Sequence, residues 1–91
     1  MATLLAEALY GLGEKELARG IYTRILEDSV TYDMNDRIFA LNSIDAINDN
    51  SPELKAAVQR LFKEQDPSAK GPASYSVLMT EWLLKKWGIK Q

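Results

Sequence analysis

The sequence contains no cysteine and no histidine among its 91 residues. Thiolate and imidazole groups are the usual ligands of zinc, and they act as nucleophile or general base in many enzymes. Disulfides, zinc sites of the common types and histidine-dependent catalysis are therefore excluded for this chain. The absence of cysteine does not indicate a compartment, because proteins without it occur in reducing and oxidising spaces alike.

Long hydrophobic runs are also missing. No apolar stretch approaches the roughly 20 residues that a membrane helix requires, so the sequence predicts no membrane-spanning segment. The N-terminus lacks the basic region, apolar segment and small-residue cleavage site of a signal peptide, so we expect none.

The chain has no excess of basic residues: it contains 11 Lys and Arg residues and 13 Asp and Glu residues, for a net charge of -2. Proteins that bind nucleic acid usually neutralise phosphates with a broad basic surface, so we expect no nucleic-acid partner. The one basic cluster is Lys85, Lys86 and Lys90 near the C-terminus. We interpret it as a cationic helix end, because cations are favourable beside the partial negative charge there.

The remaining composition is typical of one globular domain, with 46% hydrophobic and 26% charged residues. A chain of this length buries about two-thirds of its unfolded surface, which gives a modest core and little room for a large enclosed active site. We expect a single domain over residues 1–91.

Apolar residues at helical spacing predict five helices, of which the first two come before residue 29. The first covers Thr3 to Leu12 and ends at Gly11 and Gly13, because glycine accepts left-handed backbone angles. The second begins at Glu14 and is interrupted by Gly20, which costs about 1 kcal/mol relative to alanine. Close approach by a neighbouring helix is the expected reason for Gly20, and a neutral substitution is the alternative. Residues 29–32 predict a connection rather than a strand.

The third helix is expected to begin at Asp33, which can cap it. Its apolar face comprises Ile38, Ala40, Leu41, Ile44 and Ile47. Ser51-Pro52-Glu53 predicts the start of the fourth helix, with serine as the cap and proline in the first turn. After a loop over residues 65–72, a fifth helix begins at about Ala73 and ends at Gly88.

A weak internal repeat relates the first two helices to the next two. Leu5, Leu9 and Leu12 correspond to Ala40, Ile44 and Ile47 at an offset of 35, and Leu17, Ile21 and Ile25 correspond to Leu54, Val58 and Phe62 at an offset of 37. A period in the high thirties predicts a short α-solenoid of two antiparallel helix pairs with the fifth helix as a C-terminal cap. Because solenoids usually need at least three units, we expect the chain to rely on that cap or on another surface.

The acidic segment before the fourth helix is a candidate calcium site, since it supplies hard oxygen ligands at Asp45, Asn48, Asp49, Asn50 and Glu53. An EF-hand loop needs oxygen donors at positions 1, 3 and 5, glycine at 6 and glutamate at 12. No start in this segment meets that spacing. We interpret the segment as a helix stop, a turn and a cap.

Other catalytic patterns are equally unsupported. Asp33, Asp36, Asp45 and Asp49 are expected at helix starts or on solvent-exposed faces, which is unlike the buried acid of a carboxylate pair. The serines have no histidine to activate them. Gly11 and Gly13 are followed by acidic residues that would repel a phosphate. We therefore predict no catalytic, cofactor-binding or metal-binding residue in this chain.

Trp82 and Trp87 form the candidate docking surface. They are five residues apart, so their rings lie on somewhat different faces of the fifth helix. One can anchor the core while the other stands near the edge and is available to a partner, and tryptophan is enriched where interfaces concentrate binding energy. The alternative is that both cover the end of a small core.

The phrases "ALYGLGEKE", "ALNSIDAI" and "LLKKWGI" make the chain resemble the C-terminal helical region of bacterial sulfatases, especially those of Bacteroidetes. Those regions resemble HEAT-like repeats, so the resemblance implies an all-α, HEAT-like fold. It also implies that the chain is a C-terminal fragment of a larger protein and that Met1 is an added start codon. A sulfatase setting implies a periplasmic or exported location.

The parent enzyme implied by this resemblance would hydrolyse sulfate esters with calcium and a formylglycine made in a Cys/Ser-x-Pro-x-Arg motif. None of the three prolines, Pro52, Pro67 and Pro72, lies in such a motif, so no sulfatase catalytic residue is assigned to this chain. The expected function is that of a non-catalytic accessory domain that packs against or positions the sulfatase catalytic domain in the same polypeptide. The alternative is a stand-alone helical-repeat adaptor that binds a protein partner.

Overall fold

The computed structural model describes residues 2–90, all of whose regular structure is helical. The helices are α1 (Ala2–Gly11), α2 (Lys15–Glu27), α3 (Met34–Ile47), α4 (Pro52–Glu64) and α5 (Pro72–Lys86). The predicted all-α fold of five helices is confirmed. Met1, which the resemblance makes an added start codon, and Gln91 lie outside the described residues.

The ends of the helices follow the local sequence signals. Asp33 and Asp36 form a reciprocal capping box at the start of α3, with the Asp36 N–H 2.9 Å from Asp33 Oδ1 and the Asp33 N–H 3.0 Å from Asp36 Oδ2. Gly13 follows α1 with φ of 90° and Gly88 follows α5 with φ of 74°. After each glycine the next N–H donates to a carbonyl five residues back, which is the Schellman ending that glycine favours.

The helices form two layers. Helix α3 contacts both α1 and α5, while α2 contacts α4, so the odd-numbered helices lie side by side over the even-numbered pair. The molecule measures 38 × 29 × 17 Å, and the short dimension matches the thickness of two packed helices. Each layer consequently has one broad outer face.

The odd-numbered helices run in the same direction. Lys86 Nζ at the end of α5 lies 2.8 Å from Asp45 Oδ1 in the last turn of α3. At the same end of the molecule, the hydroxyl of Tyr10 in α1 stabilises the carboxylate of Asp49, two residues beyond α3. The C-terminal ends of α1, α3 and α5 therefore meet at one edge.

The second half of the predicted repeat packs differently from the first. Helix α1 packs along α2 as an antiparallel pair, but α3 and α4 share no close backbone approach within the described helices. Instead, α5 contacts both of them, and its residues Leu83 and Leu84 are fully buried. The apolar faces of α3 and α4 are thus covered largely by α5 and α2.

The core lies between the two layers. Its buried apolar residues are Ala6, Ala18, Tyr22, Ile25, Leu26, Ala40, Leu41, Ile44, Leu54, Ala57, Val58, Leu61, Leu83 and Leu84. Burial of each large side chain contributes about 1.5–3 kcal/mol. The Tyr22 hydroxyl satisfies its hydrogen-bonding need inside this core through Ser43 Oγ at 2.5 Å, which ties α2 to α3.

The expected reason for Gly20 is wrong. A methyl group built at this position has no atom within 4 Å apart from its chain neighbours and the backbone of its own helix, and the residue is exposed. No neighbouring helix requires the glycine, so it is an unfavourable helical residue that faces solvent.

Candidate docking surface

The two tryptophans of α5 have different environments. The Trp82 side chain is 56% exposed, whereas Trp87 is partly buried and packs against the core. Their five-residue spacing allows this arrangement, in which one tryptophan packs against the core and the other is exposed. Their role in docking stays a prediction, and Trp82 is the one whose surface is open to a partner.

Trp82 belongs to a larger apolar stripe on α5. Tyr75 and Leu78 precede it at helical spacing and are 45% and 62% exposed. The opposite side of α5 carries the buried residues Ser76, Thr80, Leu83 and Leu84. Helix α5 therefore has one buried side that contributes to the core and a second, exposed side that is apolar.

The other odd-numbered helices continue this apolar surface. Phe39 is 60% exposed on α3, on the stripe that also carries Asn42 and Ala46, and Leu4 on α1 is 56% exposed. We call the outer surface of α1, α3 and α5 the odd face. It is defined by Leu4, Phe39, Tyr75, Leu78 and Trp82.

An open groove of about 450 Å³ lies between α1 and α3 on the odd face. Leu4, Phe39 and Ala46 supply apolar lining, while Glu7 and Asp36 supply carboxylates. Within residues 2–90, no basic residue lines the groove and Glu7 forms no ion pair. The groove therefore combines an apolar wall with negative charge.

The helices α2 and α4 form the even layer. The outer face of the even layer is charged rather than apolar. Its exposed charged residues on α2 and α4 are Lys15, Glu16, Arg24, Glu27, Glu53, Arg60, Lys63 and Glu64. Arg60 and Glu27 form an ion pair at 2.6 Å that crosses from α4 to α2. Leu17, at 58% exposure, is the one large apolar side chain exposed on these two helices. The even layer thus has the solvated face of an ordinary surface, and the odd layer does not.

Of the five odd-face residues, sequence reasoning identified only Trp82 as a docking candidate. Leu4, Tyr75 and Leu78 lie at the helical spacing of the apolar residues in α1 and α5, and the structure exposes them. Phe39 was not singled out. A signal did exist, because α5 has apolar residues around much of its circumference, which predicts two covered sides rather than one.

The expectation that Asp49 lies on a solvent-exposed face is wrong. Its side chain is 3% exposed and its Oδ2 atom lies 2.8 Å from Arg19 Nε. Its Oδ1 atom accepts the Ser51 N–H at 2.9 Å. Asp49 is buried because it joins the turn between α3 and α4 to α2, where Arg19 compensates its charge.

Two opposing effects act on the pKa of Asp49. Burial raises it, but the hydrogen bonds from Arg19 and Ser51 and the Tyr10 hydroxyl outweigh burial, so the pKa lies below its ordinary value. The pKa of Tyr10 is raised, first by burial and then by Asp49. At neutral pH, Asp49 is therefore ionised and paired with Arg19.

Asp45 and Ser51, two other polar residues near this turn, also have structural roles. Asp45 pairs with Lys86, so one lysine of the C-terminal cluster bridges α5 to α3 rather than only ending a helix. Ser51 precedes α4 as predicted, but its side chain makes no capping hydrogen bond. Asp49 provides the local turn instead, by accepting from the Ser51 backbone.

No group of three or more His, Cys, Asp or Glu side chains within residues 2–90 is arranged to hold a metal ion. In the same range, no helix combines the length and the apolar character needed to cross a bilayer. Searches with family models, against curated proteins and against solved structures find no match to this chain.

Proposed function

We propose that this chain is a non-catalytic helical accessory module that docks onto another protein surface through its odd face. The observation that carries the proposal is the uneven distribution of exposed apolar residues between the two layers. Leu4, Phe39, Leu78 and Trp82 are each more than half exposed on the odd-numbered helices. Large exposed apolar side chains concentrated on one side of a domain are typical of an interaction site.

The proposed partner is a sulfatase catalytic domain in the same polypeptide. The sequence resemblance to sulfatase C-terminal regions supports this choice. The layered arrangement, with parallel odd-numbered helices on one side, supports the finer proposal of HEAT-like stacking. The lack of direct packing between α3 and α4 is a departure from that pattern. In this setting the calcium and the formylglycine belong to the catalytic domain.

The docking experiment uses the catalytic domain encoded in the native reading frame, purified separately. We expect it to bind this chain, and we expect Trp82→Ala to weaken binding by about tenfold or more, as loss of a buried aromatic anchor does. Glu53→Lys on the even layer is the matched control and leaves affinity unchanged. Equal affinity of the Trp82 variant and the unmodified chain contradicts docking through the odd face.

A separate assay tests the absence of catalysis. The purified chain is expected not to hydrolyse an aryl sulfate. Hydrolysis that a point mutation within the chain abolishes would refute the non-catalytic role. A native reading frame that encodes only this domain would favour the stand-alone adaptor over the sulfatase accessory domain.

A further inference from the structure

We infer that the odd face is self-complementary and that a second copy of this chain occupies it, in a two-fold dimer with α5 of each copy over α1 of the other. The inference rests on the proposed function in one respect, that the odd face is a docking surface. It goes further by naming an occupant for the isolated chain. A catalytic domain on the same face would displace the second copy.

The two sides of the odd face, the α1–α3 groove and the α5 stripe, carry opposite charges. The α1–α3 groove is apolar with carboxylates at Glu7 and Asp36. The α5 stripe is apolar and is followed one turn later by Lys85, which is exposed and forms no ion pair with any residue between 2 and 90. The chain therefore carries both an acidic apolar groove and a basic apolar ridge on one surface.

The order of the helices allows a two-fold dimer in which the α5 stripe of each copy faces the α1–α3 groove of the other. Helix α3 lies between α1 and α5, so a two-fold axis parallel to α3 in the plane of contact brings each α5 over the partner copy's α1. This axis preserves the position of each residue along the helix direction. Phe39 then lies near its own symmetry equivalent at the centre.

The positions of Glu7 and Lys85, measured along the direction of α3, agree with this pairing. Glu7 lines the groove together with Asn42 and Ala46. On the other side of α3, Lys86 pairs with Asp45, which sets the height of the α5 end. Lys85 of one copy and Glu7 of the other therefore lie within about one helical turn of each other along the axis.

The same geometry places Trp82 against the mouth of the opposing groove. Trp82 lies one turn before Lys85 and Lys86, close to the height at which Leu4 and Glu7 flank the groove. The groove volume of about 450 Å³ is of the size that accommodates a large side chain or small ligand. Trp82 is thus the expected anchor and Lys85 the expected charged neighbour.

The size of the odd face is adequate for a stable dimer. Its plane has dimensions of 38 and 29 Å, while a standard interface buries about 800 Å² on each partner. Aromatic and apolar side chains at the centre with charges at the rim also match the usual composition of an interface.

Sedimentation velocity over about 1 µM to about 1 mM tests the proposal, because this range spans typical weak to moderate dimers. We expect a concentration-dependent shift from monomer to dimer. Trp82→Ala is expected to raise the dissociation constant by about tenfold or more, and Leu78→Ser gives a second readout in case the first variant is affected in folding. Val30→Ser, at an exposed turn residue outside the odd face, is the matched control.

Charge reversal gives the sharper test. Glu7→Lys and Lys85→Glu each place like charges together and are expected to weaken the dimer, whereas the double variant is expected to restore it. Lys63→Glu on the even layer is the control and leaves dimerisation unchanged. Recovery in the double variant requires that the two residues face each other.

A chain that stays monomeric over the whole range overturns the proposal, as does a dimer that is insensitive to the Trp82 and Glu7 variants. A monomer whose odd face binds the catalytic domain overturns the second copy as occupant and leaves the proposed docking function in place. A dimer with the expected sensitivities supports the inference even where the catalytic domain binds elsewhere and the proposed function fails.

Discussion

Arg19 Nε donates to Asp49 Oδ2 at 2.8 Å, across 30 residues of sequence. The bond connects the middle of α2 with the turn between α3 and α4. Asp49 is buried, and the same Arg19 guanidinium also reaches Glu16 at 2.9 Å on the exposed side. One ion pair therefore fixes the corner of the acidic segment that resembled a ligand loop.

Asp49→Asn is expected to lower the free energy of unfolding by about 2 kcal/mol at neutral pH. Asparagine keeps the shape and one acceptor for the Ser51 N–H, but its amide nitrogen or its uncharged oxygen replaces the anion opposite Arg19. Chemical denaturation monitored by circular dichroism measures the change. Asp45→Asn is the matched control, and the loss of its more exposed pair with Lys86 is expected to cost at most about 1 kcal/mol. An equal effect of both substitutions contradicts a special role for Asp49.

The pKa of Asp49 gives a second prediction, for acid stability. Its folded-state pKa is below its unfolded-state value of about 3.9, so its stabilising contribution is present above that value. As pH falls through about 4 towards the folded-state pKa, the unfolded state binds the proton first and the contribution is lost. The difference in unfolding free energy between the unmodified chain and Asp49→Asn is therefore expected to shrink from pH 6 to pH 3, where these two values are rough bounds of the titration.

Measuring the difference between two variants matters because Asp49 is not the only carboxyl group with a lowered pKa. Hydrogen bonds from Thr31 lower the pKa of Asp28, and hydrogen bonds from Ser68 lower the pKa of Asp66. Both groups also contribute to the acid response of the unmodified chain and of the variant. A difference that stays constant over the whole pH range would argue against ion pairing of Asp49.

The sequence predicted the helices better than it predicted the partners of their polar residues. Helical spacing and the glycine and proline signals are local, so five helices and the capping role of Asp33 followed from nearby residues. The Asp49 turn was also readable in part, since an aspartate often accepts the backbone N–H of the residue two positions later, here the cap residue Ser51. Its partner Arg19 was not, because nothing local relates residues 30 positions apart.

The candidate docking surface shows the same division. Spacing predicted that Trp82 and Trp87 differ in orientation, and they do differ in burial. Which side of α5 faces the core depended on how α3 and α4 pack, and that is a tertiary property. Helical spacing alone therefore does not show that Tyr75 and Leu78 lie on the odd face.

Gly20→Ala is expected to stabilise the chain, because the site is helical, exposed and free of close neighbours. Alanine restricts the unfolded chain and raises helix propensity, which together contribute about 1 kcal/mol. For a domain of this size that corresponds to a rise in Tm of about 4–8 °C, measured by thermal unfolding.

The matched control for Gly20 is Gly88→Ala. Gly88 has φ of 74°, where a side chain is strained, so this variant is expected to lose about 1 kcal/mol or more. Opposite signs for the two alanine substitutions separate helix propensity from the conformational requirement at the helix end. A loss of stability in Gly20→Ala would indicate a contact on that side of α2 that the monomer does not contain.

The unequal burial of the two tryptophans gives the last prediction. In Trp87→Phe the remaining Trp82 is 56% exposed, so its fluorescence is expected to be red-shifted and readily quenched by acrylamide. In Trp82→Phe the remaining Trp87 packs against the core, and its emission is expected to be blue-shifted and less quenched. Acrylamide is chosen because it is neutral and is not attracted to the nearby lysines. If a second copy covers the odd face, quenching of Trp82 falls as protein concentration rises while that of Trp87 changes little. Identical quenching of both residues at low concentration contradicts the division between a core anchor and an exposed docking residue.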